Sequence, residues 1–240
     1  MTRRRRGSHS GSPNPGKELE KAATASRPEA PPSSPRAPRP LAPLLTGSPR
    51  FPYGRHLFDE REVAAATEAL RDRRLSGGER TLQFEESFAG LVGAPFSCFA
   101  NSGSSANLLA VAALCARERG PRLREGDEVI VPALSFPTTV NAFLHHGLTV
   151  VLADVGRDTF TVDPERVEAC RTRKTRALSL LHAFGNPCDL GPLLALARAR
   201  GLLVLEDACE ALGTTYEGRA VGTFGTVGTY SFHPAHQITT

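Results

Sequence analysis

The chain has 240 residues and 40% hydrophobic content, enough to bury one sizeable core. Its formal charge of +4 (29 basic, 25 acidic) is carried by one end: residues 1–50 hold ten Lys/Arg against three Glu, leaving 19 basic and 22 acidic residues from Phe51 onward. That excess of acid argues against a basic nucleic-acid face on the folded part, and the polar stretch after Arg3-Arg4-Arg5-Arg6 argues against an export signal or a membrane span.

Residues 1–50 are rich in Pro, Ser, Arg and Ala and are expected to form a disordered tail. From Asp59 the pattern changes. Val63, Ala66, Thr67 and Leu70 recur at helical spacing, Ser76-Gly77-Gly78 breaks the run, and Phe84, Phe88 and Leu91 mark a second helix stopped by Gly93 and Pro95. Ala106 to Leu114 reads as a buried helix. An alternation of strands and helices follows. Glu128–Val131, Thr149–Ala153, Ala177–Leu181 and Leu202–Leu205 read as strands; Val140/Phe143/Leu144, Pro164–Arg171 and Leu190/Leu193/Leu194/Ala197 read as helices. Strands that are apolar throughout and separated by helices predict an α/β fold, a mostly parallel sheet covered on both faces. In such sheets ligands sit at the carboxyl ends of strands, and Glu206-Asp207 stands at one. Five cysteines without CxxC spacing fit a reducing cytoplasm.

Several residues carry candidate chemistry. Asn101-Ser102-Gly103-Ser104-Ser105-Ala106 precedes a helix, where exposed N–H groups favour an anion; a plain helix cap is the simpler reading. Asp207 ends an apolar strand, where a carboxylate needs a partner: a protonated ring nitrogen, or a local cap or ion pair. Phe136 follows a strand and could stack on a planar ring or fill the core. His236 gains interest from the lysine census. The only lysines are Lys17, Lys21 and Lys174, none near the strand-end site, whereas a neutral imidazole exchanges protons readily near pH 7.

Together, Asn101 to Leu109, Phe136-Pro137-Thr138-Thr139-Val140-Asn141, Gly185-Asn186-Pro187, Glu206 to Gly213 and Ser231-Phe232-His233-Pro234-Ala235-His236 resemble the DegT/StrS family of pyridoxal-phosphate-dependent nucleotide-sugar aminotransferases. The resemblance runs from about Tyr53 to Thr240 and is strongest to the 3-dehydratase branch. It implies the fold type I large domain over residues 51–240, with the C-terminal part of the family pattern missing. It also implies site roles. Gly103 and Ser104 would hold the cofactor phosphate, with Ser231 adding a hydroxyl. Phe136 would stack on the ring, and Asp207 would pair with its nitrogen. Glu210 falls where the aminotransferases carry Gln and the dehydratases an acid. His236 replaces the lysine that tethers the cofactor, so the resemblance implies pyridoxamine 5′-phosphate as the working form and His236 as acid and base.

The implied substrate is a nucleotide-linked 4-keto-6-deoxyhexose, and the implied assembly is a homodimer. The dehydratases are of two kinds: one uses glutamate as amine source and no metal, and in the other a cysteine at the position of Cys209 is one of four ligands of a [2Fe–2S] cluster fed by an electron-donating reductase, the other three being implied beyond residue 240. Cys98, Cys115, Cys170 and Cys188 do not match ligand positions, and a plain buried thiol is the other reading of Cys209. An ordinary sugar aminotransferase and a catalytically inactive regulatory homologue remain the competing functions.

Overall fold

A computed structural model describes residues 58–73, 76–118 and 120–237. The expected tail at residues 1–50, with Lys17 and Lys21, lies outside the described residues. Helix α1 (Glu60–Arg71) is started by Asp59, whose side chain accepts from the Arg61 N–H while Glu62 reaches back to the Asp59 N–H, a reciprocal cap. The periodicity located this helix correctly, but its apolar stripe stays outside: no residue of α1 is buried, and Val63 and Leu70 are exposed. Helix α2 (Glu79–Val92) ends on Gly93 in the left-handed conformation that glycine adopts at least cost. Phe84 and Phe88 of α2 meet Phe232 edge-to-face at 5.5 Å each, and Phe88 meets Tyr230 at 5.1 Å. This aromatic cluster fixes the path of the segment that leads to His236.

Helix α3 (Gly103–Ala116) is followed by β1 (Glu128–Pro132), α4 (Pro137–Leu144), β2 (Thr149–Ala153), α5 (Pro164–Cys170), β3 (Thr175–Leu181), α6 (Leu190–Arg200) and β4 (Leu203–Asp207). Two short antiparallel strands come next, β5 (Thr215–Tyr216) and β6 (Arg219–Ala220), and then β7 (Val227–Thr229). These last three strands are too short to leave a periodic signal in the sequence. The main sheet has the order β2-β1-β3-β4-β7 and every pairing in it is parallel, as the strand–helix alternation predicts.

Side chains alternate between the two faces of each strand and build two cores. Val129 and Val131 of β1 and Leu203 and Leu205 of β4 pack with Val111 and Leu114 of α3 and Ala142 and Phe143 of α4. Ile130, Leu178, Leu180 and Val204 pack on the other face with Val167 of α5 and Leu190 and Leu193 of α6. The same alternation separates two neighbouring carboxylates. Asp207 belongs to the α3/α4 face and Glu206 to the α6 face, and register aligns Asp207 with Leu181 on one side and Thr229 on the other. The carboxyl ends of β3, β4 and β7 therefore meet at Asp207. None of the helices among the described residues is long and apolar enough to cross a membrane.

Candidate cofactor site

Asp207 is 2% exposed, and its carboxylate is satisfied by three donors from three elements. Oδ2 accepts from Thr139 Oγ1 at 2.7 Å and from Asn107 Nδ2 at 3.1 Å, and Oδ1 accepts from the Cys209 N–H at 3.2 Å. Asn107 is oriented in turn by Thr229 Oγ1, which donates to its Oδ1 at 2.6 Å. A buried carboxyl group held by neutral donors, with no cation among them, offers its oxygens to a cationic group of a ligand.

The N-terminus of α3 approaches the same place. Ser102 caps the helix, its Oγ accepting from the Ser105 N–H. No acceptor among the described residues meets the N–H groups of Gly103 and Ser104, which leaves them for an anion. Gly103 is packed so closely that a Cβ there would lie 2.8 Å from Ser231 Cβ, 2.9 Å from Ser231 Oγ and 3.4 Å from Cys209 Sγ. Gly103, Ser231 and Cys209, distant in sequence, are thus neighbours. Ser231 is buried, and its Oγ accepts from the His233 N–H at 3.2 Å. Burial, and then the Asp207 carboxylate, push the Cys209 thiol far above its ordinary value, so it is protonated at neutral pH.

Phe136 is not core. It stands 64% exposed at the N-cap of α4, ahead of Pro137, and its carbonyl accepts from Thr139 N–H, so one turn carries both the exposed ring and the hydroxyl that binds Asp207. Glu210 lies half-buried beyond β4, with Oε2 accepting from the Phe184 N–H at 2.9 Å. Phe184 itself holds a left-handed conformation, φ 55°, that non-glycine residues rarely adopt. Gln237 Nε2 donates to the Glu210 carbonyl, tying the turn after His236 to the end of β4.

His236 is half-buried in a turn closed by its own N–H donating to the His233 carbonyl at 2.7 Å. Its Nδ1 is buried and has no hydrogen-bond partner among the described residues. Lys174, the one described lysine, precedes β3 at the opposite end of the sheet; the seven residues of β3 put it about 20 Å from the Asp207 end.

Residues 57–240 match the DegT/DnrJ/EryC1/StrS aminotransferase family. The chain belongs to that family. Among its relatives, a dTDP-4-dehydro-2,6-dideoxy-D-glucose 3-dehydratase of Saccharopolyspora spinosa is 43% identical over 76% of this chain and 40% of its own length. The lipopolysaccharide biosynthesis protein RfbH of Salmonella typhimurium is 41% identical over 82% of this chain and 45% of its own. The solved structure of the E. coli GDP-4-keto-6-deoxy-D-mannose-3-dehydratase with bound hydrated PLP superposes with a TM-score of 0.75 at 34% identity, covering 79% of this chain and 49% of that one. The chain spans about half the length of the curated relatives it matches. The parallel α/β sheet is the fold of this pyridoxal-phosphate-dependent, sugar-modifying family.

The residues present fit a phosphorylated pyridoxal-type cofactor: a helix N-terminus with unclaimed N–H groups, a glycine that only a missing side chain allows, a buried carboxylate without a cation, and an orphaned imidazole nitrogen. A metal cluster is different. Among the described residues no group of three or more His, Cys, Asp or Glu could hold a metal ion, so Cys209 and its surroundings do not by themselves form an iron–sulfur site. The sequence reading missed the partners of Asp207. Asn107 and Thr139 stand inside the motif stretches that carry the family resemblance but were given no role, and Thr229 belongs to β7, which left no signal.

Proposed function

We propose that this chain carries the cofactor site of an enzyme that removes the C3 hydroxyl of a nucleotide-linked 4-keto-6-deoxyhexose, with pyridoxamine 5′-phosphate as cofactor and His236 as proton carrier. The observation that carries this reading is the convergence of Thr139, Asn107 and the Cys209 N–H on the buried Asp207, in a chain that has an imidazole and no lysine at the Ser231–His236 turn. The 3-dehydratases among the relatives support the same branch.

Bound there, the cofactor would supply an amine for the C4 ketone and a ring able to spread negative charge. The N–H groups of Gly103 and Ser104 and the Ser231 hydroxyl would hold its phosphate. Asp207, fixed by Thr139, Asn107 and the Cys209 N–H, would keep the ring nitrogen protonated. Phe136 would cover one ring face, and Glu210 would supply the acid that the dehydratases carry at this position. His236 would take up and return the proton exchanged during loss of the C3 hydroxyl; its buried Nδ1, unpartnered among the described residues, is free to serve that exchange. Replacing the C3 hydroxyl by hydrogen takes two electrons, which the amine cofactor could supply by passing to its aldehyde form with loss of ammonia, its amine being renewed from glutamate, or which an electron-donating reductase could deliver. Leu91, Phe96, Phe99, Leu108 and Leu109 are exposed, apolar surface suited to a second copy of the chain in a homodimer. The free state of all five cysteines supports a cytoplasmic setting.

The test combines binding with trapping. The full chain should bind pyridoxamine phosphate and form no borohydride-stable adduct with pyridoxal phosphate, whereas His236→Lys should gain one. An adduct on the unaltered chain would favour the aminotransferase reading. Failure of the chain to bind either cofactor form would refute the proposal.

A further inference from the structure

The proposed chemistry uses Asp207 and leaves its neighbour Glu206 unexplained, although Glu206 is fully buried and ionised. Burial raises its pKa, but the hydrogen bond from His182 and those from the backbone N–H groups of Gly222 and Gly225 outweigh burial and hold the carboxylate below the ordinary glutamate value. Each oxygen has two donors. Oε1 accepts from the N–H groups of Phe224 (2.7 Å) and Gly225, and Oε2 accepts from the Gly222 N–H (2.8 Å) and His182 Nε2 (3.1 Å). The buried His182 has a fixed tautomer, because its Nδ1 accepts from the Cys188 N–H at 3.1 Å. The remaining titratable groups beside the carboxylate are protonated: burial and then the Glu206 charge push the Cys188 thiol up to about 12 and move the Tyr230 phenol well above its usual value.

The loop around this charge is built for close approach. A Cβ on Gly225 would lie 2.8 Å from the Val204 carbonyl oxygen, and a Cβ on Gly228 would collide with the Gly222 backbone. Gly222 has φ +89° and faces the Tyr230 hydroxyl, which donates to the Val221 carbonyl. These contacts explain the three-residue glycine spacing Gly222, Gly225, Gly228. The loop then leads directly into β7. Thr226 N–H donates to the Val204 carbonyl at 2.7 Å, β7 pairs with β4, and Thr229 orients Asn107 on Asp207, two residues before Ser231.

We propose that Glu206 is a positioning residue for the cofactor site: its carboxylate seats the Gly222–Gly225 loop and through it β7, which presents Thr229 to the Asn107–Asp207 pair and Ser231 to the α3 N-terminus. The inference deepens the functional reading above and rests on it only for the identity of the ligand. Strand alternation gives the two adjacent acids opposite duties, Asp207 toward the ligand and Glu206 toward the frame that aims it.

Glu206→Gln is the test, because whichever way the amide turns, its NH2 replaces an acceptor that now serves two donors. Three readouts are taken on the full chain. In the cofactor-free protein the Asn107 side-chain amide resonances should shift. Pyridoxamine phosphate should bind about tenfold or more weakly, the scale of one lost charged hydrogen bond. In a Thr229→Val background, where the relay is already cut, Glu206→Gln should weaken binding markedly less. Unchanged Asn107 resonances, or effects of the two substitutions that simply add, would overturn the inference. Failure of the unaltered chain to bind pyridoxamine phosphate would remove the functional reading instead, leaving the resonance test intact. Should Glu206→Gln not fold, Gly225→Ala presses on the same loop without removing the charge. It should give the same Asn107 shift and loss of affinity, and their absence would count equally against the proposal.

Discussion

Adding a single methyl group at Gly103 tests the geometry of the phosphate cradle. The new Cβ would sit 2.8 Å from Ser231 Cβ, whereas carbon atoms in contact prefer about 3.5–4.0 Å, so α3 and the Ser231 segment must part by about 0.7 Å or more. Helix propensity opposes that clash by at most about 1 kcal/mol, the helix-interior difference between glycine and alanine, because Gly103 is the first helical residue. Overpacking at a close contact costs about 1–3 kcal/mol. The net change in stability is therefore between roughly zero and about 3 kcal/mol of destabilisation. Binding should suffer more, since the two sides of the cradle no longer converge on one phosphate. Loss of one charge-assisted hydrogen bond, about 1.5–3 kcal/mol, weakens pyridoxamine phosphate by about 10- to 100-fold. Thermal unfolding and a fluorescence titration of the cofactor measure the two effects separately. Adding Ser231→Gly, which removes the atoms met by the new Cβ, should recover the lost stability without restoring the hydroxyl. A Gly103→Ala protein that is more stable and binds the cofactor unchanged would show that these segments do not form the cradle.

Thr139→Val keeps the side-chain shape but leaves Asp207 one donor short; it should lower stability by about 1–3 kcal/mol in denaturant titration and weaken cofactor binding as well. Leu193→Ala, in the fully buried core on the α6 face, should destabilise by about 2–5 kcal/mol while the folded fraction binds cofactor with unaltered affinity. The depressed pKa of Glu206 sets a pH dependence: its stabilisation is fully present above the unfolded glutamate value of about 4.3 and is lost as pH falls through the lower folded value. Acid titration of stability should therefore show a limb below about pH 5 that is shallower in Glu206→Gln.

Much of the fold is legible in the sequence because its physical causes are local. The apolar runs at Val129–Val131, Val150–Leu152 and Leu178–Leu181 are separated by helical periods, and a parallel sheet covered on both faces follows. The fate of an apolar stripe is not a local property. Val63 and Leu70 mark α1 correctly yet stay exposed, since periodicity reports which face is apolar but not what covers it. Strands of two or three residues, such as β7, are formed by their neighbours and carry no pattern of their own.

The sequence by itself determined the family motifs, the place of Asp207 at a strand end, and a histidine with no nearby lysine, because these depend on residue type and spacing along the chain. Only the tertiary structure decided that Asn107, Thr139 and Thr229 converge on Asp207, that Gly103 lies against Ser231, and that Glu206 holds a loop on the opposite face. Those contacts join residues 68 to 122 positions apart for the Asp207 set, and hydrogen bonds of such reach exist only once β4 and β7 are paired and α3 and α4 are packed over them.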